Sequence, residues 1–556
     1  MRSRLQALAL AASMTVACGR ATTHVPGTNR DLSIQVVFAD RNALHLSTLA
    51  WFSLVLSVGG ESYTYALNYD AGSSTLSFVP AAPTDLPVEG IVTATLQAYD
   101  YGGQPVVTDG AYVGGRSNPV DLAAADAAGT VKLPIVIGKL GGFVPLGVDL
   151  SRARFLHTAT AVGPTALLVV GGAGLGTPLA ATGFVDLIEW LDRFAHQHCT
   201  ATSGGVASGD CGAWGTVPPP RVDHVALALA TGFGPACPHR DAILVALGRD
   251  EAGAALGDAY LFEAAGFASG GAFTKLSLAL TPRAGATAYA TRDCRVVLAA
   301  GHGSGDLTPI ADAEVLSFAP GGVTIAGRVT LPRPTVHAMA FRLDNGIDEV
   351  IVAGGEDASG AAVKSAMSLP NNVASLVAYD LDADPPTYNG ARATMRCARL
   401  GPVAARLQVG GILASTLIVG DGSPACAGGG AEMFRASSSP VELPYDGFVD
   451  VSAAIHTPRF VGHGVAALPD GSALIFGGHT SADVASPPTK AAERFVLSAQ
   501  FSAAAAAAGG DFSEQGALSG PRAFQATAVR GVWVWAVGGF TGTEATAQVE
   551  IYTLGL

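Results

Sequence analysis

Four histidines, His157, His224, His337 and His463, recur at a common place in this 556-residue chain, each three or four residues behind an arginine. Imidazoles repeated in this way could ring one zone of a symmetric fold, and such a ring can hold a metal ion. Four glutamates, Glu314, Glu432, Glu493 and Glu550, recur in the same manner. Glycosidic chemistry needs two carboxylates flanking one bond. Equivalent positions in successive repeats point symmetrically and do not converge, so these glutamates are expected to pair with the repeat arginines. Two acidic stretches, Asp380-Leu381-Asp382-Ala383-Asp384 and Asp421-Gly422, carry oxygen ligands suited to calcium. The longer one lacks the glycine and terminal glutamate of an EF-hand loop, so a solvated turn is the default and calcium the one cofactor left open. No nucleophile elbow, P-loop or HExxH motif occurs. No catalytic, cofactor-binding or metal-ligating residue is therefore assigned.

The elements that must position these residues are announced by an apolar run ending in glycine. It occurs seven times: Leu167–Gly172, Ile243–Gly248, Val296–Gly301, Val350–Gly355, Thr416–Gly422, Ala473–Gly478 and Trp533–Gly539. Self-similarity at this spacing marks a repeat architecture. Around each run stand further shared residues. Before it come Arg154 with His157, Arg221 with His224, Pro282-Arg283, Pro332-Arg333 with His337, Pro458-Arg459 with His463, and Pro521-Arg522. After it come Glu432-Met433-Phe434, Glu493-Arg494-Phe495 and Glu550-Ile551-Tyr552.

This pattern, Arg then His, an apolar strand, Gly-Gly, then Glu-x-aromatic, resembles the kelch repeat over roughly residues 143–556. The resemblance implies a β-propeller with one four-stranded blade per repeat, hence seven blades. It also implies that the histidine position belongs to the repeat frame, where Ala286 and Gln525 stand in two other repeats. Trp214 is the one residue placed for the family's fourth-strand tryptophan. Some propellers of this type are copper radical oxidases similar to galactose oxidase, but the linked Tyr and Cys of that chemistry are not evident. The last repeat runs out after Tyr552 with only three strands, and an open edge is an aggregation template. The segment 142–148 has the place and character of the missing strand and is expected to complete the final blade. Val185 to His198 reads as either a short helix or the third strand of its blade, and 502–510 as an alanine-rich linker.

Ahead of the repeats, residues 31–140 read as short strands with turn signals, an immunoglobulin-like β-sandwich. The first 18 residues read as a signal peptide: Arg2 and Arg4, an apolar stretch from Leu5 to Val16, then small residues before Cys18. These resemble a bacterial lipobox, with Thr15 where the family has leucine. The resemblance implies that Cys18 is acylated and anchors the protein to a membrane, with 19–30 as tether. The other cysteines, Cys199, Cys211, Cys237, Cys294, Cys397 and Cys426, are even in number, and disulfides are expected in an exported chain. Cys237 and Cys294 fall in adjacent repeats, so a staple between blades is one option. Net charge of −13 argues against a nucleic-acid partner. The reading is thus a cell-envelope lipoprotein, at the outer membrane or cell surface. Its propeller, all-β with the sandwich before it, binds a protein or glycan through loops at one mouth. The alternative is a hydrolase or lyase acting on polysaccharide in the central channel. Loops 173–213 and 356–374 are the longest candidates for contact.

Overall fold

The computed structural model describes residues 20–25, 31–40, 43–44, 46–70, 75–79, 89–123, 130–163, 166–174, 181–189, 196–202, 205–210, 214–264, 271–343, 349–369, 378–381, 383, 394–409, 412–420, 430–436, 445–481, 483–498 and 507–555. Among them no α-helix occurs. The chain divides into two compact units near residue 138.

In the N-terminal unit, alternation of apolar and polar residues gives strands with one dry face. Along Leu49–Val58, Phe52, Leu54, Leu56 and Val58 are buried while Trp51, Ser53, Val55 and Ser57 are partly exposed. Ile91–Asp100 follows the same rule in register, Phe52 opposite Ala98 and Leu54 opposite Leu96. The sandwich expected from the sequence takes the form of one continuous curled sheet. Its order is Arg20–Val25, Asp31–Phe38, Thr130–Lys139, Ala111–Arg116, Ile91–Asp100, Leu49–Val58, Glu61–Asp70 and Thr75–Val79. The two end strands approach each other, as a curled sheet requires. Arg20–Val25, read from sequence as tether, instead pairs antiparallel with the next strand, Arg20 opposite Val37 and Val25 opposite Leu32. Polar composition misled there, because an edge strand needs no apolar alternation to form its ladder.

The second unit is a seven-bladed β-propeller. The first strands of blades 1 to 7 are Thr158–Val162, Val225–Ala228, Thr287–Thr291, Met339–Leu343, Val403–Val409, His463–Ala467 and Ala526–Arg530. Each contacts the first strand of both neighbouring blades in a closed circuit, so these seven line the central channel. The second strands include Ala166–Val170, Ile243–Ala246, Glu349–Ala353 and Ala473–Gly477, and every residue in these four is buried. A strand covered on both faces reads as a continuous apolar run rather than an alternating one, which is why the runs dominate the sequence. Between blades lie separate apolar layers, such as Leu168, Val170, Val245, Tyr260 and Trp214 between blades 1 and 2. Trp214 lies beyond the strands of blade 1, its carbonyl accepting from the Phe273 N–H (2.7 Å), and not in a fourth strand.

The ring closes as expected. Gly142–Pro145 forms the outer strand of blade 7 beside Ala545–Thr553. The Gly141 N–H donates to the Thr553 carbonyl and the Leu150 N–H to that of Ala547, both at 2.8 Å. Phe143, 1% exposed, packs on Tyr552 and Phe476. Two readings need correction. Phe184–Glu189 is the third strand of blade 1 and His196–Thr202 its fourth, so the helix alternative fails over the described residues of 185–198. The stretch read as a linker contributes Ala507–Ala508 to the edge of blade 5, and Gly510 opens the fourth strand of blade 6.

Candidate functional site

Three repeated contacts build the frame of the propeller, and together they show what is left over for function. The first is a buried ion pair. Arg283, Arg399, Arg459 and Arg522 meet Glu314 (3.2 Å), Glu432 (2.6 Å), Glu493 (3.4 Å) and Glu550, all essentially inaccessible. The four recurrent glutamates therefore take the structural role expected of them. Blade 1 uses Asp186 opposite Arg154, and the shorter acid also accepts from His196 and from the Ser151 N–H. Burial pushes the Asp186 carboxyl up, but Arg154, His196 and that N–H outweigh it and hold the group well below the usual range. Blade 2 places Arg221 over the Tyr260 ring (5.0 Å) and beside Asp258 (3.2 Å).

The second contact stitches blade to blade. The N–H of the second glycine in a Gly-Gly pair donates to the carbonyl of the next blade's frame arginine: Gly172 to Arg221 (2.9 Å), Gly355 to Arg399 (2.9 Å), Gly478 to Arg522 (2.8 Å), and Gly539 round to Arg154 (2.9 Å). A Cβ on Gly355 would lie 2.2 Å from the Val336 carbonyl oxygen of its own blade, so the backbone there packs too closely for any residue but glycine. In blade 4 the acceptor is Thr335, reached by Gly301 (2.9 Å). Thr335, not Arg333, therefore holds the arginine place; Arg333 instead pairs with Asp380 (2.8 Å) on a half-exposed surface. The acid is missing from that blade too. Met367 stands opposite Val352, as Glu550 stands opposite Ala536.

The third contact uses the histidines. His463 Nε2–H donates to the Val419 carbonyl of the preceding blade (3.2 Å), and Gln525 makes the same reach to Phe476 (3.2 Å). His157 faces the Val537 carbonyl in looser geometry, and His224 Nε2 meets Thr158 Oγ1 (2.9 Å). Burial, reinforced by the neighbouring arginines, lowers His157 and His463 to about 3 and His224 well below its usual value, so all three are neutral. They are struts between blades. His337 does not belong with them: its frame equivalent is Ala338, and His337 sits one residue earlier.

That earlier residue is left-handed in every blade: Leu156, Asp223, Gly285, His337, Gly401, Gly462 and Phe524, with φ between 53° and 72°. It stands just ahead of the first strand, at the leading mouth of the channel. Four N–H to carbonyl bonds link these residues round the mouth: His337 to Gly285, Gly285 to Asp223, Phe524 to Gly462, and Leu156 to Phe524. The residue after the Gly-Gly pair ends at the same mouth, contributing Ala173, Arg249, His302, Glu356, His479 and Phe540. The two sets meet as two chemically different arcs. Across blades 2 to 4, Arg249 Nη2 pairs with Asp223 (2.8 Å), His337 Nδ1–H donates to Glu356 (2.7 Å), and the His302 ring lies 6.4 Å from that of His337. Gly285 makes room for this arrangement, because a Cβ there would come within 2.6 Å of His337 Nε2. Burial opposes charge on His337, but the Glu356 hydrogen bond and the Asp223 and Glu356 charges outweigh it and raise its pKa, against Arg249. Across blades 7 and 1, Leu156, Phe524 and Phe540 gather around Phe155 and Ala173. His479 borders this arc, its ring 5.6 Å from Phe524 and its Nδ1–H donated to the Ser486 carbonyl.

At the far end of the channel the insertion 229–242 lies across blades 2 to 4. Gly234 N–H donates to Arg292 (3.1 Å), Arg342 donates to the Gly232 carbonyl (2.8 Å), and Cys237 is bonded to Cys294, the staple between adjacent blades. Cys199 and Cys397 are disulfide-bonded as well. Cys18, Cys211, Cys426, Asp382, Asp384, Asp421 and Gly422 lie outside the described residues, as do parts of loops 173–213 and 356–374. No group of three His, Cys, Asp or Glu side chains among the described residues is arranged to hold a metal ion. Of the residues singled out individually from sequence, only His337 reaches the mouth cluster; Glu356 opens the candidate loop 356–374, and Asp223, Arg249 and His302 were not anticipated. The chain is thus a seven-bladed β-propeller with an amphipathic channel mouth. No protein-family model matches it, and no curated protein matches it.

Proposed function

We propose that this propeller, of kelch-like type, is an interaction module that binds a protein or glycan at its leading mouth. The observation that supports this is the departure of the mouth from the repeat. Three blades use glycine at the left-handed position, where an L-residue costs roughly 1–2 kcal/mol, yet four place Leu156, Asp223, His337 and Phe524 there. Strain retained at such a place is a pointer to function. The sequence 1–18 supports export with lipid attachment at Cys18, which would hold the module in the cell envelope. A second reading, polysaccharide hydrolysis or elimination in the channel, draws on the convergence of Asp223, His337, Glu356 and Arg249.

The test is retention on glycan and protein arrays of the full chain carrying Cys18→Ser, beside Arg249→Ala at the mouth and Arg240→Ala at the far end. Retention of one ligand class, lost with Arg249→Ala and kept with Arg240→Ala, is expected. Retention indifferent to Arg249 contradicts the reading. Turnover of a polysaccharide that Arg249→Ala abolishes, without stable retention, transfers the mouth to the enzymatic alternative.

A further inference from the structure

Each acid of the arc is paired with a base. Arg249 is matched by Asp223 at 2.8 Å and His337 by Glu356 at 2.7 Å. Such an arc presents no net field to draw in an acidic or a basic peptide, since steering requires an excess of one sign. What it does present is donors and acceptors side by side. The Arg249 side chain is one-third exposed, its Nε a buried donor without a partner among the described residues, and His337 Nε2 stands at a partly exposed ring. Hydroxyl groups donate and accept at once, and a polyol can therefore bridge both pairs without separating either. On the opposite arc Leu156 and Phe524 offer an apolar face, and His479 Nε2, fully buried beside Phe524, is an acceptor with no donor among the described residues. Ligands that are apolar on one side and hydroxylated on the other match this division.

Resting on the reading of the mouth as a binding site, we infer that its ligand is a neutral saccharide, with its hydroxyls on the Asp223–Arg249 and His337–Glu356 pairs and a C–H face on Phe524. The left-handed backbone supplies an unusual control. Asp223→Gly, His337→Gly and Phe524→Gly each remove a side chain while relaxing the backbone to what blades 3, 5 and 6 already use. Calorimetric titration of the full chain would use neutral glucose-, galactose- and mannose-based oligomers, uronate oligomers, and a mixed peptide library, with thermal midpoints in parallel. Binding of a neutral oligomer that falls about tenfold or more in each variant, with the midpoint held or raised for Asp223→Gly and His337→Gly, is the expected result. Preference for uronate oligomers or peptides that still fails in the variants overturns the neutral-saccharide inference and leaves the binding mouth standing. Saccharide binding unchanged in all three variants overturns both.

Discussion

At the scale of single residues, the frame depends on partners that must be kept or lost together. Removing one member of a buried ion pair strands a charge, at a cost of about 3–5 kcal/mol, whereas replacing both is far cheaper. Blade 4 already displays the replaced state, with Thr335 and Met367 where other blades hold Arg and Glu. Glu493→Met alone is accordingly expected to destabilise by about 3–5 kcal/mol, and Arg459→Thr combined with Glu493→Met by clearly less than the sum of the singles, as read by chemical denaturation. The strut histidines give a pH prediction. Folded His157 and His463 take up protons only near pH 3, while the unfolded imidazoles do so below about 6.5. The unfolded state therefore binds more protons throughout that interval, and stability must fall as pH drops through it, by up to ~1.4 kcal/mol per pH unit for each histidine. Gln525 makes the same reach in blade 7 without titrating. His157→Gln with His463→Gln should thus flatten the decline of the thermal midpoint between pH 6.5 and about 4; an unchanged slope would remove these residues from the acid response.

At the scale of elements, closure of the ring is the most exposed joint. Residues 142–145 supply the only strand of blade 7 that comes from outside the last repeat. A chain beginning at Leu150 would leave the Ala545–Thr553 edge unpaired and uncover Tyr552 and Phe476, so aggregation is expected by light scattering; a soluble fragment with a single cooperative transition would contradict the closure. This joint was legible in sequence because three strands were countable in the last repeat and a fourth had to come from somewhere. The second strands were legible for another reason: burial on both faces leaves an unbroken apolar run. Blade 4 was misread at its arginine because Pro332-Arg333 before His337 copies Pro458-Arg459 before His463. The available signal was Met367 in its third strand, where every other blade sets Glu, Asp or Tyr against its arginine. Arg20–Val25 and Gly510–Gln515 were hidden by composition, an edge strand and an outer strand having little apolar demand.

At the scale of the whole molecule, the repeat makes seven equivalent positions at the mouth and the chain fills them unequally. Periodicity reveals what blades share, and for that reason Asp223, Arg249 and Glu356 were invisible to it: each is what one blade has and the others lack, while His302 recurs only as His479. The far end is crossed by the insertion 229–242 and pinned by Cys237–Cys294, which leaves the leading mouth as the end where side chains of several blades converge unshared. The measurement that bears most directly on this account is hydrogen–deuterium exchange of the full chain, with and without the ligand class retained on the arrays. Protection confined to residues 155–157, 222–224, 249–251, 302–304, 336–338 and 523–525 is predicted. Protection centred on 229–242, or on the N-terminal sheet, with those six segments unchanged would contradict it.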